Sequence, residues 1–236
     1  MKQVKKLGLA LLLLTCVNAV KAQTVDEVID KFVAAVGGKE KLMALNSVKM
    51  EGNLSVQGFD IGVTTTVLNG KGLRTDISVP GATDGYRIVT PTKGWNFLPV
   101  QGMTEPEETP EDQVKSLQAG LDLQSPLLNY AAKGHKVELL GKEKVDAADC
   151  YKLKVTFKNG KIATLFLDAT SYYRVKSVIN INMSGKDTEV ATSYSDFKKT
   201  PEGYVFPYAQ TNASGTITFT TIEVNKPVDE KIFQPN

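Results

Sequence analysis

The 236-residue sequence contains one histidine, one tryptophan and two cysteines. A single His135 excludes metal sites built from several imidazoles. It also leaves little scope for histidine acid–base chemistry, because His135 sits in the charged turn Lys133-Gly134-His135-Lys136. No CxxC, HExxH, P-loop, dinucleotide glycine fingerprint or G-x-S-x-G elbow is present. The acidic stretch Glu105, Glu107, Glu108, Glu111 and Asp112 lacks the alternating ligands and turn glycine of a calcium loop. It reads as a solvated loop that places acids at a helix start. These absences point away from an enzyme and imply neither a cofactor nor a metal.

Charge of one sign is also missing. The chain has 28 Lys and Arg against 26 Asp and Glu, interleaved rather than clustered, so nucleic acid is not an expected partner. Long apolar runs are scarce. The longest, Leu7 to Val17, is too short to span a bilayer as a helix, and no integral membrane segment is expected in the rest.

That run belongs to a secretory leader over residues 1–22. Lys2, Lys5 and Lys6 form its positive start, and Val20-Lys21-Ala22 places small residues for cleavage before Gln23. An exported, periplasmic protein is expected; the alternative is a lipid anchor on Cys16, which follows Leu13-Leu14-Thr15. Four lysines and no acid lie in the leader, so the remainder carries a net charge of −2. It also retains one thiol, Cys150, which cannot form an internal disulfide and is safest buried in a strand.

The remainder, 23–236, reads as one domain. Thr24 and Glu27 form a capping box ahead of Val25, Val28, Ile29, Phe32, Val33 and Val36 at helical spacing, and Gly37-Gly38 ends the helix. A second short helical segment covers Lys39 to Leu45. The period then changes to two: Val48, Met50, Leu54, Val56; Phe59 to Val67; and, after Asn69-Gly70, Leu73, Thr75, Ile77 and Val79. Shorter strands follow at Tyr86–Thr90 and Trp95–Leu98. Mid-chain, Asp112 to Leu121 and Ser125 to Ala132 read as helices. Strands resume with Tyr151 to Phe157, turn at Asn159-Gly160, and continue through Ile162–Leu167, Tyr173 to Met183 and Thr216–Val224. In Tyr173 to Met183, Arg174 and Lys176 fall on the polar face.

Ten or eleven strands with short turns imply a mainly β antiparallel meander too large to stay flat. Its apolar face needs a cover. The economical solution is a curved sheet forming an incomplete barrel, its concave side covered by about three short helices; a two-sheet sandwich is the alternative.

Four features together resemble the LolA/LolB-like superfamily of periplasmic lipoprotein carriers. A helix precedes the first long strand. Val89-Thr90-Pro91-Thr92-Lys93-Gly94-Trp95-Asn96-Phe97-Leu98-Pro99 is similar to the family's strand–turn–strand with an aromatic pair before proline. Helices interrupt the sheet mid-chain, and Asn225 to Pro235 is similar to the family's ending. The stretch Gly72-Leu73-Arg74-Thr75-Asp76-Ile77 lacks the aromatics that follow the carriers' lid arginine, so the resemblance is to a divergent outer-membrane lipoprotein-sorting-protein-like relative. It implies a half-barrel with a helical lid and an apolar or lipid-like ligand, such as a lipoprotein acyl group. The expected lining is Leu73, Ile77, Trp95, Phe97, Leu117, Leu121 and Leu128. A filled interior would instead suit an envelope scaffold that binds a protein partner.

Overall fold

A computed structural model describes residues 23–56, 59–183 and 186–236. The expected leader, with its expected cleavage site and Cys16, lies outside the described residues. The chain begins with α1 (Val25–Ala35), whose capping box forms as expected: the Thr24 hydroxyl accepts from the Glu27 N–H, and the Glu27 carboxylate accepts from the Thr24 N–H. Val28, Ile29, Phe32 and Val33 are buried along one face. Gly37 and Gly38 both take positive φ and turn the chain into α2 (Lys39–Ala44).

Six strands follow as a meander: β1 (Ser47–Val56), β2 (Phe59–Leu68), β3 (Gly72–Ser78), β4 (Gly85–Val89), β5 (Gly94–Phe97) and β6 (Glu107–Glu108). After α3 (Glu111–Leu117), seven more form a second meander. They are β7 (Lys136–Val145), β8 (Ala148–Thr156), β9 (Ile162–Asp168), β10 (Arg174–Met183), β11 (Lys186–Lys199), β12 (Val205–Asn212) and β13 (Gly215–Val224). All thirteen form one antiparallel sheet in the order β6-β5-β4-β3-β2-β1-β13-β12-β11-β10-β9-β8-β7. The edges β6 and β7 do not pair, so the barrel is incomplete, as expected.

Thirteen strands exceed the ten or eleven expected because several carry weak patterns. In β7 the register shifts between Leu139 and Lys142, where Gly141 takes positive φ. In β11 the left-handed Asp196 interrupts the pairing with β12 without shifting its register. Such irregularities break up the alternation that marks a strand. The helix read over Ser125 to Ala132 is a run of turns, because Ser125 and Asn129 both take positive φ. The mid-chain therefore supplies one α-helix, which tightens into a 3-10 turn at Gln118–Leu121, and the N-terminus supplies two.

The order of strands dictates the lid. The chain leaves one sheet edge at β6 and re-enters at the opposite edge, β7, so residues 109–135 must cross the concave face. The crossing is fastened on both flanks. Val114 and Leu121 pack with Val89 of β4, while Leu127 and Leu128 join the cluster of α1 with β7, β8 and β9. Gln118 Nε2 donates to the Pro91 carbonyl at 2.7 Å, and Asn159 Nδ2 donates to that of Lys115 at 2.9 Å. Lys161 pairs with Asp112 at 2.6 Å.

Cys150 is fully buried in β8, and burial pushes its thiol pKa up. A thiol kept protonated and out of contact with solvent is a poor nucleophile. In the chain from Gln23 onward, an aromatic disulfide reagent should titrate no thiol in the native state and one after denaturation. Rapid native labelling would contradict this burial.

Candidate functional site

The helices do not cover the whole concave face. α1 and α2 fill the β7–β9 flank with Val28, Ile29, Phe32, Val33 and Leu42, packed on Leu153, Val155 and Leu165. The crossing covers Leu73 and Val89 on the opposite flank, where Gly120 lets it lie close to Leu73. Between these two fillings, over the central strands, lies a cavity of about 900 Å³. That is within the range of small-molecule sites, roughly 300–1,000 Å³.

One wall is apolar and continuous. Leu54 of β1 pairs with Ile61 of β2 and with Ile217 of β13, and Val63 of β2 pairs with Ile77 of β3. These five side chains and Met50 line the cavity. Leu54, Ile61, Ile77, Ile217 and Met50 are only half-buried; Met50 and Ile217 border the cluster that Leu123 of the crossing also joins, while Leu54, Ile61 and Ile77 belong to no packed cluster. Apolar side chains left so by their own fold mark a surface that lacks a partner.

A bulge maintains this wall. Thr220 is skipped in the β1–β13 pairing, where Glu51 faces Thr221 and Gly52 faces Phe219. The inward phase of β13 thus changes from Ile217 and Phe219 to Ile222 and Val224, and all four face inward or pack in the core. Without the extra residue, one of these pairs would point to solvent.

The opposite wall is mixed and carries polar groups: Arg174, Ser177, Thr192, Tyr194 and Gln210 line it on three neighbouring strands, beside Ile179, Phe197 and Phe206. Ser177 pairs with Thr192, and Tyr194 with Gln210. The Ser177 and Tyr194 hydroxyls lie 2.9 Å apart, and the Arg174 guanidinium stands 4.7 Å from the centre of the Tyr194 ring.

Of the residues expected to line a site, the structure brings Leu73, Ile77 and Leu117 to the cavity. Leu121 is buried beside it against Val89 and Val114, and Leu128 is buried in the α1 cluster. Trp95 and Phe97 are on the other face. They pair with Ile88 and Tyr86, and it is the alternate residues of β4, Arg87 and Val89, that line the cavity. All four aromatic and aliphatic side chains pack on the outside with Phe233. The segment after β13 runs back over this outer face. Its 3-10 turn (Glu230–Phe233) sets Phe233 directly over Gly72, where any Cβ would collide with the ring. Arg74 holds the turn by donating to the Ile232 carbonyl at 3.0 Å.

His135 is a structural acceptor. Its Nδ1 receives the Lys158 N–H at 3.1 Å, and its ring meets Phe157 edge-on. Burial lowers its pKa, which favours the neutral ring that this bond requires. Among the described residues, no group of three or more His, Cys, Asp or Glu comes together as a metal site would need, and no helix is long and apolar enough to cross a membrane.

No family model matches the chain, and no curated protein matches it. Solved structures do. A LolA superfamily protein from Nitrosomonas europaea is 16% identical, with a TM-score of 0.53 over 90% of this chain and 98% of its own. A DUF1329 family protein from Desulfovibrio piger is 14% identical, with a TM-score of 0.57 over 90% and 98%. A domain assigned to the outer membrane lipoprotein-sorting proteins, from Vibrio parahaemolyticus, is 16% identical, with a TM-score of 0.51 over 88% and 94%. These likenesses establish the fold: the chain is LolA-like in architecture and divergent in sequence.

Proposed function

We propose that the protein is an exported, periplasmic, non-enzymatic binder of an apolar or lipid-like ligand, which it shelters between the sheet and the crossing segment. The observation that carries this reading is the apolar wall in which Leu54, Ile61, Ile77 and Ile217 stay half-buried around a buried Val63. The LolA-like architecture supports it, as does the sorting assignment of one structural neighbour. The open hollow favours a carrier over a filled scaffold that binds only a protein partner.

The energetics allow useful affinity without a charged anchor. Burying about fifteen methylenes at about 0.8 kcal/mol each gives about 12 kcal/mol. An association cost of about 4 kcal/mol or more leaves roughly micromolar binding. No catalytic machinery is assigned to the cavity.

The test is native mass spectrometry of the chain purified from the periplasm, with organic extraction of whatever it carries, and titration with the uncharged fluorescent probe N-phenyl-1-naphthylamine. The expected result is a co-purifying acyl species, or saturable probe uptake with micromolar Kd. A clean unliganded mass together with no probe uptake would refute the reading. Trp95 fluorescence is the wrong reporter, since that ring is packed on the outer face.

A further inference from the structure

We infer that the ligand is an anionic amphiphile, a single-tailed carboxylate or phosphate, whose head group is held by Arg174 while its tail lies on the β1–β3 wall. The inference rests on the proposed binding function and adds the chemistry of the head group.

Arg174 faces the cavity because β10 is bulged. Arg174 pairs with Leu167, yet Lys176 pairs with Phe166, so Val175 is the extra residue. Leu167 packs in the core beneath the sheet, and its partner Arg174 shares that face. Ser177, opposite Leu165, and Ile179, opposite Ala163, follow on the same face. In unbroken alternation Arg174 would share the outer face with Lys176, whose ammonium lies over the Phe166 ring. One inserted residue brings a guanidinium into an otherwise uncharged wall, and bulges recur beside binding sites for this reason.

The charge is not balanced from within. Among the described residues, the charged side chains that line the cavity are Arg87, Asp122 and Arg174. Asp122 is neutralised by Lys133 at 2.6 Å. Among the described residues, no carboxylate lies within 4.0 Å of Arg174, which is placed instead by the Tyr194 ring. Packing on an aromatic face orients a guanidinium and leaves its edge N–H groups free for a planar anion. The Ser177 and Tyr194 hydroxyls and Gln210 provide further donors on the same wall. Arg87 lies on the opposite flank and is exposed, so water screens it.

The experiment is competition against bound N-phenyl-1-naphthylamine by three amphiphiles of one tail length: hexadecanoate, hexadecyl phosphate and uncharged hexadecanoylglycerol. Wild type, R174Q and R87Q are compared at low and high salt. Wild type should prefer at least one anion over the neutral compound by about tenfold, the size of one charge-assisted hydrogen-bonded contact. The preference should shrink at high salt. R174Q should lose it while binding the neutral compound as wild type does, which also shows that the variant is folded. R87Q should keep most of it. A preference for hexadecanoate identifies a fatty acid head group, and one for hexadecyl phosphate a phospholipid-like one. Equal binding of charged and neutral compounds by wild type, or a preference that survives in R174Q, overturns the inference and leaves lipid binding intact. Failure of all three to displace the probe overturns both readings.

Discussion

Tryptophan at both Leu54 and Ile77 should reduce probe and acyl binding by about a hundredfold and leave the melting temperature unchanged or raised. The two positions sit on β1 and β3, either side of β2, and are joined through Ile61 and Val63 on β2. Both are half-buried and project into the cavity, so larger rings there meet space instead of packed atoms. Overpacking costs roughly 1–3 kcal/mol in a filled core, but that penalty needs atoms to collide with. Displacing about four methylenes of ligand at about 0.8 kcal/mol each removes about 3 kcal/mol of affinity, close to two decades in Kd. Binding is read by titration with N-phenyl-1-naphthylamine, and stability by thermal melting followed by circular dichroism. The combination is diagnostic. If the concave wall were an ordinary core with a closed interior, the same double variant would unfold the protein. If binding persisted in a stable double variant, the ligand would have to lie elsewhere.

Much of the architecture was written in local patterns, because each rests on chemistry between near neighbours. The α1 capping box, the Gly37-Gly38 stop and the alternating strands β1 to β3 needed only propensity and periodicity to be read. The lid was legible as a helical interruption in a run of strands. Its role follows from the two unpaired sheet edges it connects, which sequence alone does not order.

The site was legible only in part, for two physical reasons. Alternation sorts a strand's residues into two sets but does not say which set is concave. In β4 both sets are apolar at their ends, Tyr86 and Ile88 outward and Val89 inward. The aromatic pair Trp95 and Phe97 therefore looked available to the cavity, while the final segment claims it for the outer face. The signal was Phe233 itself, an aromatic in a turn that needed a surface to cover, and a side-chain-free Gly72 to receive it. The second reason is the bulge. Period-two reading carried through Val175 puts Arg174 outside with Lys176, and a single unpaired residue reverses that assignment. The cavity's one guanidinium held on an aromatic ring was thus hidden by the same irregularity that positions it.

Replacing Gly52 with valine should cost about 3 kcal/mol or more in urea unfolding, among the largest effects a single substitution produces. The two meanders are joined by one hydrogen-bonded seam, β1 against β13, since no other pair in the strand order links them. Gly52 lies at the bulge in that seam. A Cβ there would collide with the Thr218 carbonyl oxygen and stand 2.7 Å from the Phe219 Cα. Both obstacles are backbone, so no side-chain rotation relieves them, and the strands must separate. Separation exposes Val48, Phe219 and Ile222, which are buried around the seam. Gly62, on the next strand, is the control: its Cβ would meet the Ser78 Cβ at 3.4 Å and the Ser78 carbonyl oxygen at 3.6 Å, both ordinary contacts. G62A should therefore stay within about 1 kcal/mol of wild type, the scale of strand propensity. Equal stability of G52V and G62A would mean that the bulge is not a fixed feature. In that case neither the inward phase of β13 nor the wall containing Ile217 would be fixed by it, and the hollow would have to be maintained by the crossing segment alone.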